Sequence, residues 1–226
     1  RMAADRPAVI AEIKRGSPSL GHIRPGLDVA AQVQAYASGG AAALSVLTDR
    51  DFFFGGPDDF RAARAAVDLP MLRKDFIVDA WQLVESRVLG ADCVLLIMSV
   101  LDDADAAALS RAAHELGLDV LVETHDAEEI ERALAHVEFD LIGINSRNLK
   151  TFETSTELTL ELAAHIPDRD RLVAESGLHT PADIRRLWDA GIRRFLVGEA
   201  FVTAPAPEAA VRGFVQIQQT EERGGQ

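Results

Sequence analysis

Val9-Ile-Ala-Glu-Ile-Lys14 runs directly into Arg15-Gly-Ser-Pro-Ser19, and the pairing of this apolar run with this loop decides the fold. Apolar residues with almost no polar interruption predict a strand covered on both faces, the kind found in a parallel sheet. An open doubly wound sheet usually carries a G-x-G-x-x-G turn after its first strand. The loop here has Gly16 alone and lacks that spacing. Working outward, strands are predicted at Val9–Lys14, Ala43–Leu47, Met71–Lys74, Cys93–Ile97, Asp119–Glu123, Leu141–Ile144, Arg171–Glu175 and Arg194–Val197. Amphipathic stretches alternate with them at about Asp28–Ser38, Asp58–Ala66, Asp79–Val88, Asp102–Leu116, Asp126–His136, Ser155–His165, Thr180–Ala190 and Pro207–Gln218. Several begin with Asp, Ser or Thr, which can accept from the free N–H groups of a first turn. Others stop at glycines, as at Gly40, Gly90, Gly117 and Gly191. Strand and helix repeated eight times predict an α/β protein, a closed (β/α)8 barrel. No Pro/Gly/Ser-rich linker divides the chain, so residues 1–226 are expected to form one domain with a frayed tail from Thr220.

Composition narrows the function. Hydrophobic residues make up 48% of the 226 and charged residues 26%, enough for a large core. A net charge of −13 argues against nucleic acid, whose phosphates need a basic face. A small anionic ligand is still compatible, because it needs only a few local cations and backbone N–H groups. Cys93 is the single cysteine, so a reducing cytoplasm is the expected location. The longest strongly apolar stretch, Cys93–Leu101, lies between Asp92 and Asp102 and is too short to span a bilayer, so no membrane association is expected.

The chemistry is expected at the strand ends. Only three of the 23 cationic side chains are lysines, and Lys14 and Lys74 each end a predicted strand, Lys150 being the third. Lysine can exchange its proton, whereas arginine is fixed as a cation. Acids sit in the same kind of position: Glu12, Glu123 and Glu175. A lone lysine is usually a solvated surface residue, and a lone glutamate often only caps a helix. Several acids and two ammonium groups at one barrel mouth are a different matter, since they must compensate one another and shift each other's proton affinity. Asn145 and Arg147 come just after the sixth strand. Ser176-Gly177 and Gly198-Glu199, after strands seven and eight, stand where many barrels hold a phosphate. Glu199 fits only if its carboxylate points away from the anion. Phe52-Phe53-Phe54, Phe76 and Leu95 could wall a flat aromatic ligand, although a phenylalanine run also suits a core. The histidines show no metal-ligand spacing, and no metal is expected; His125 could line the rim.

Taken in order, Ile10-Ala-Glu-Ile-Lys-Arg-Gly-Ser-Pro-Ser-Leu-Gly21, Ser45-Val-Leu-Thr-Asp49, Leu72-Arg-Lys-Asp-Phe-Ile-Val-Asp79, Leu121-Val-Glu-Thr-His125, Ile142-Gly-Ile-Asn-Ser-Arg-Asn-Leu149 and Ala174-Glu-Ser-Gly177 closely resemble the indole-3-glycerol-phosphate synthase family. The resemblance runs from about Val9 to Phe214. It implies a (β/α)8 barrel of tryptophan biosynthesis that closes the indole ring of 1-(2-carboxyphenylamino)-1-deoxyribulose 5-phosphate, with loss of carbon dioxide and water. By that resemblance Lys74 is the general acid at the ketone oxygen, and Glu123 and Lys14 serve later proton transfers. Glu12 pairs with and positions the catalytic lysine. Ser17, Asn145, Arg147 and Glu175 contact substrate, with Ser17 and Arg147 near its carboxylate. Ser176, Gly177, Gly198 and Glu199 hold the phosphate, and Phe53, Phe76 and Leu95 surround the anthranilate ring. No cofactor is implied, since the intermediate is its own electron sink. A monomer is expected, with other enzymes of the pathway as conceivable partners. Two departures stand out: only eight residues precede Val9, so most of the family's N-terminal extension over the mouth is expected to be lacking, and Leu20 stands where relatives often carry lysine. An isomerase or epimerase of sugar phosphates and a non-catalytic anion binder are the competing readings.

Overall fold

The computed structural model describes residues 5–18, 20–147 and 154–217; Lys150 and the tail from Thr220 lie outside them. Eight parallel strands close on themselves in chain order. They are β1 (Ala8–Ile13), β2 (Ala43–Leu47), β3 (Met71–Lys74) and β4 (Cys93–Ile97). β5 (Asp119–Thr124), β6 (Leu141–Asn145), β7 (Leu172–Glu175) and β8 (Arg194–Val197) complete the ring. β1 pairs with β2 on one side and β8 on the other, so no edge remains. The expected barrel is therefore observed.

Around it run α1 (Val29–Gly39), α2 (Pro57–Ala66), α3 (Ala80–Leu89), α4 (Asp103–Glu115) and α5 (Ala127–His136). Next come α6 (Thr156–Ala163), α7 (Pro181–Asp189), the single turn α8 (Glu199–Val202) and α9 (Pro207–Val215). Asp28, Asp79, Asp102, Asp126, Ser155 and Thr180 each accept from a first-turn N–H, as their positions predicted. α2 differs. It starts at Pro57 behind Gly56 with no side-chain cap, because a proline at the first position presets φ and lacks an N–H that would go unpaired anyway.

The period of two along each strand sorts residues between two layers. Ile10, Leu72, Leu95, Leu121, Val173 and Leu196 fill the barrel interior. Their neighbours Val9, Ala11, Leu44, Val94, Val120 and Phe195 pack outward in the larger core. Continuing the interior parity toward the C-terminal ends brings up Glu12, Lys74, Glu123 and Glu175. Parallel pairing then sets Glu12 beside Ser45, Glu123 beside Gly143 and Asn145 beside Glu175. Arg73, of opposite parity to Lys74, is buried between β3 and α3. Its Nε donates to Thr48 Oγ1 at 3.0 Å and its Nη1 to Ser86 Oγ at 3.1 Å, while Nη2 lies 3.0 Å from Asp75 and 2.7 Å from Glu85. A buried guanidinium survives only when so fully paired, and this one fixes the strand end carrying Lys74.

Candidate active site

The C-terminal strand ends surround a cavity of about 510 Å3. At its base, Lys74 Nζ donates to Glu123 Oε2 at 2.6 Å and lies 3.3 Å from Glu175 Oε2. Glu123 Oε1 accepts from Asn145 Nδ2 at 3.0 Å and has His125 Nε2 at 3.4 Å. Asn145 is itself oriented, its Oδ1 accepting from Ser176 Oγ at 2.8 Å and from the Arg147 backbone N–H at 3.1 Å. A second pair stands beside this group: Lys14 Nζ is 3.6 Å from Glu12 Oε1, and Ser45 Oγ donates to Glu12 Oε2 at 3.4 Å.

Glycines make the room. A Cβ on Gly143 would sit 2.0 Å from Glu175 Oε1. One on Gly198 would sit 2.5 Å from Glu12 Oε1 and 3.2 Å from Lys14 Nζ. Ser176 and Gly177 are successive left-handed residues, at φ 61° and 68°. Serine is strained there, and such strain persists where surrounding contacts hold it, here the bond to Asn145.

Burial works against charge on Lys74, but Glu123, Glu175 and Glu12 outweigh it and hold the ammonium above its ordinary range. Burial also disfavours charge on Glu123, yet Lys74 and His125 win and keep it below the usual carboxylate range. Glu175 goes the other way: burial, reinforced by Glu123, pushes it up to about 8 against the pull of Lys74. Its Oε1 is buried without a hydrogen-bond partner. Two carboxyls beside one ammonium are thus pushed in opposite directions, Glu123 toward the charged form and Glu175 toward the protonated one. Neighbouring groups pushed apart in this way mark distinct acid and base duties.

Comparison with known proteins gives this geometry a context. The model of the family "Indole-3-glycerol phosphate synthase" matches residues 1–214. Indole-3-glycerol phosphate synthase of Polaromonas sp. strain JS666 is 53% identical over 211 residues, which cover 93% of this chain and 80% of that protein. The chain belongs to the indole-3-glycerol phosphate synthase family. The synthase of Azospirillum brasilense is 53% identical over 210 residues, with the same coverage of both chains. Among solved structures, thiamine phosphate pyrophosphorylase from Pyrococcus furiosus aligns with TM-score 0.68 at 15% identity, covering 92% of this chain and 93% of its own. 3-Hexulose-6-phosphate synthase aligns with TM-score 0.69 at 17% identity, covering 92% and 97%. These two share the fold alone. Membership of the synthase family makes the chain an enzyme of tryptophan biosynthesis, a decarboxylating lyase.

All the residues expected to form the synthase site line the one cavity. Glu12, Lys14, Lys74, Glu123 and Glu175 cluster at its base, with Ser17, Asn145 and Arg147 on its wall. Ser176, Gly177, Gly198 and Glu199 border it from the β7 and β8 loops. Phe53, Phe76 and Leu95 line it too, the rings of Phe53 and Phe76 lying 6.4 Å apart. Phe54 does not join them; it stacks on His22 at 3.9 Å beneath the loop after β1. Glu12 pairs directly with Lys14, while Lys74 is gripped by Glu123 and Glu175. Reading the strand ends missed Gly143 and the full reach of His125. Only the glycine inside an apolar strand hinted at the first, since it marks a close approach.

Among the described residues no group of three or more His, Cys, Asp or Glu could hold a metal ion, and no helix is long and apolar enough to cross a membrane.

Proposed function

We propose that the cavity binds 1-(2-carboxyphenylamino)-1-deoxyribulose 5-phosphate and closes its pyrrole ring. The observation that carries this is Lys74, whose ammonium is buried at the cavity floor 2.6 Å from Glu123 and 3.3 Å from Glu175. Lys74 donates a proton to the ketone oxygen as the ring carbon bearing the carboxylate attacks the carbonyl carbon. Carbon dioxide then leaves, and its bonding pair returns to the cationic ring system, which serves as the electron sink. Glu123 removes the carbon-bound proton and Lys14 protonates the departing hydroxyl, giving indole-3-glycerol phosphate and water. Glu12 orients Lys14, and Glu175 holds Lys74 while contacting substrate. Positioned acid–base groups of this kind contribute about 10²–10⁴ in rate, and holding the flexible chain with carbon facing carbonyl supplies more.

The phosphate belongs between Ser176-Gly177 and Gly198-Glu199, where backbone can approach closely and Lys14 stands near Gly198. Ser17 and Arg147 face the substrate carboxylate, and Phe53, Phe76 and Leu95 stack around the aromatic ring. We place this activity in a single barrel domain, monomeric and cytoplasmic, with a small anionic substrate as its partner. Incubating the protein with the carboxyphenylamino-deoxyribulose phosphate should produce indole fluorescence and carbon dioxide in equal amounts. Calorimetric binding without product would replace the enzyme by an anion binder.

A further inference from the structure

We propose that Gln32 is a positioning residue for the phosphate end of the substrate, holding the single-turn helix α8 in register with the strand end that carries Lys14. This rests on the placement of the phosphate beside Gly198-Glu199 given above. Gln32 lies on α1 between the buried Val29 and Val33 and is 4% exposed, a carboxamide inside an apolar core. Burying an amide is costly unless its donor and acceptor are both met, and a leucine of similar size would bury without that cost. Gln32 meets both with groups that lead toward the cavity. Its Nε2 donates to Phe201 O at 3.3 Å, and its Oε1 accepts from Arg24 Nη1 at 3.2 Å. Arg24 Nη1 also donates to Val202 O at 3.3 Å.

Phe201 and Val202 end α8, and the last carbonyls of a helix have no partners within it. Four residues span only about 6 Å, so a shift at Phe201 or Val202 is felt at Gly198 and Glu199, which border the cavity. So short a turn has little stability by itself and takes its position from what grips it. Part of the grip is apolar: the Phe201 ring lies 5.7 Å from that of Tyr36 and 4.9 Å from that of Phe214. Apolar contact is not directional, so direction comes from the two hydrogen bonds. One turn further along α1, Tyr36 Oη donates to the backbone carbonyl of Glu12 at 3.3 Å. One face of α1 thus touches the end of α8 and the end of β1, and it sets the spacing between Gly198 and Lys14. That spacing is close, since a Cβ on Gly198 would lie 3.2 Å from Lys14 Nζ. Gln32 is not among the residues lining the cavity, so it acts through α8. A purely structural role is the simpler alternative. Phe201 O also accepts from the Ala204 N–H at 3.3 Å, so that carbonyl keeps a partner when Gln32 is replaced.

Gln32→Leu keeps the bulk and removes both hydrogen bonds of the carboxamide. Its kcat/KM is compared with that of the wild type on the carboxyphenylamino-deoxyribulose phosphate and on the same compound without its phosphate. The ratio of the two values is independent of how much of the preparation is folded. The expected result is a fall in that ratio by about three- to ten-fold, the size of one neutral hydrogen bond, carried by the KM of the phosphorylated substrate. Inorganic phosphate reads the same property without the second substrate: its inhibition constant should rise by a similar factor. Arg24→Leu removes the contact to Val202 O from an exposed residue and should move both readings the same way, so the test survives poor folding of the first variant. An unchanged ratio, which includes an equal loss on both substrates, or an unchanged inhibition constant would overturn the positioning role. A wild type that turns over both compounds equally well and is not inhibited by phosphate would instead sink the placement of the phosphate.

Discussion

Gly143→Ala tests whether the interior of the barrel is as tightly shared as the structure shows. The added Cβ would lie 2.0 Å from Glu175 Oε1, and ordinary contact begins near 3.4 Å, so the carboxyl must retreat by about 1.4 Å. Glu175 Oε2 is now 3.3 Å from Lys74, and a retreat of that size breaks the contact. Overpacking of this kind costs about 1–3 kcal/mol, and misplacement by about 1 Å near the chemistry can cost about 10²-fold in rate. The sharper result comes from repeating the change in a Glu175→Ala background. There the obstructing oxygen is gone, and the next neighbour, Leu121 Cδ1 at 3.5 Å, is an ordinary contact. Alanine for glycine then gains about 0.4–1 kcal/mol by restricting the unfolded chain. The double-mutant cycle, read by urea melts of all four proteins, should therefore give a coupling of about 1.5–4 kcal/mol. Equal destabilisation in both backgrounds would refute the contact and the crowding argument with it.

Three further outcomes are expected. Gly198→Ala puts a Cβ 2.5 Å from Glu12 Oε1 and 3.2 Å from Lys14 Nζ, and should raise KM more than it lowers kcat in steady-state assays; an unchanged KM would remove Gly198 from the phosphate site. Glu175 is raised in the folded state, so the stability it contributes is complete below the ordinary value of 4.5 and is lost as pH rises through about 8. Glu175→Gln mimics the protonated form and should melt increasingly above wild type between those pH values, whereas a constant difference across the window would contradict the assignment. Arg73→Met leaves Asp75 and Glu85 without their buried partner and should cost about 3–5 kcal/mol, read from denaturant curves, with a loss below about 1 kcal/mol excluding a structural role for that network.

The barrel was legible because its signals are local. Near-continuous apolar strands and Asp, Ser or Thr starts at Asp28, Asp79, Asp102, Asp126, Ser155 and Thr180 need only neighbouring residues to be read. The site residues were legible for one topological reason: a closed parallel barrel brings strand ends together. Which acid meets which lysine was not, since partners 49 residues apart, such as Lys74 and Glu123, depend on register and stagger around the ring. Arg73 was overlooked because a charged residue in a short strand reads as exposed, while here it faces helix α3 in a nest of acceptors. Phe54 left the expected aromatic wall because its left-handed φ of 58° turns the ring under the first loop.

The central claim is that the Lys74 ammonium is the acid of ring closure. Its most direct test is the turnover of Lys74→Ala, with indole product tracked by fluorescence and folding checked by circular dichroism. A folded variant slowed by about 10²–10⁴-fold is the predicted result. Turnover close to that of the wild type in a folded variant would contradict it.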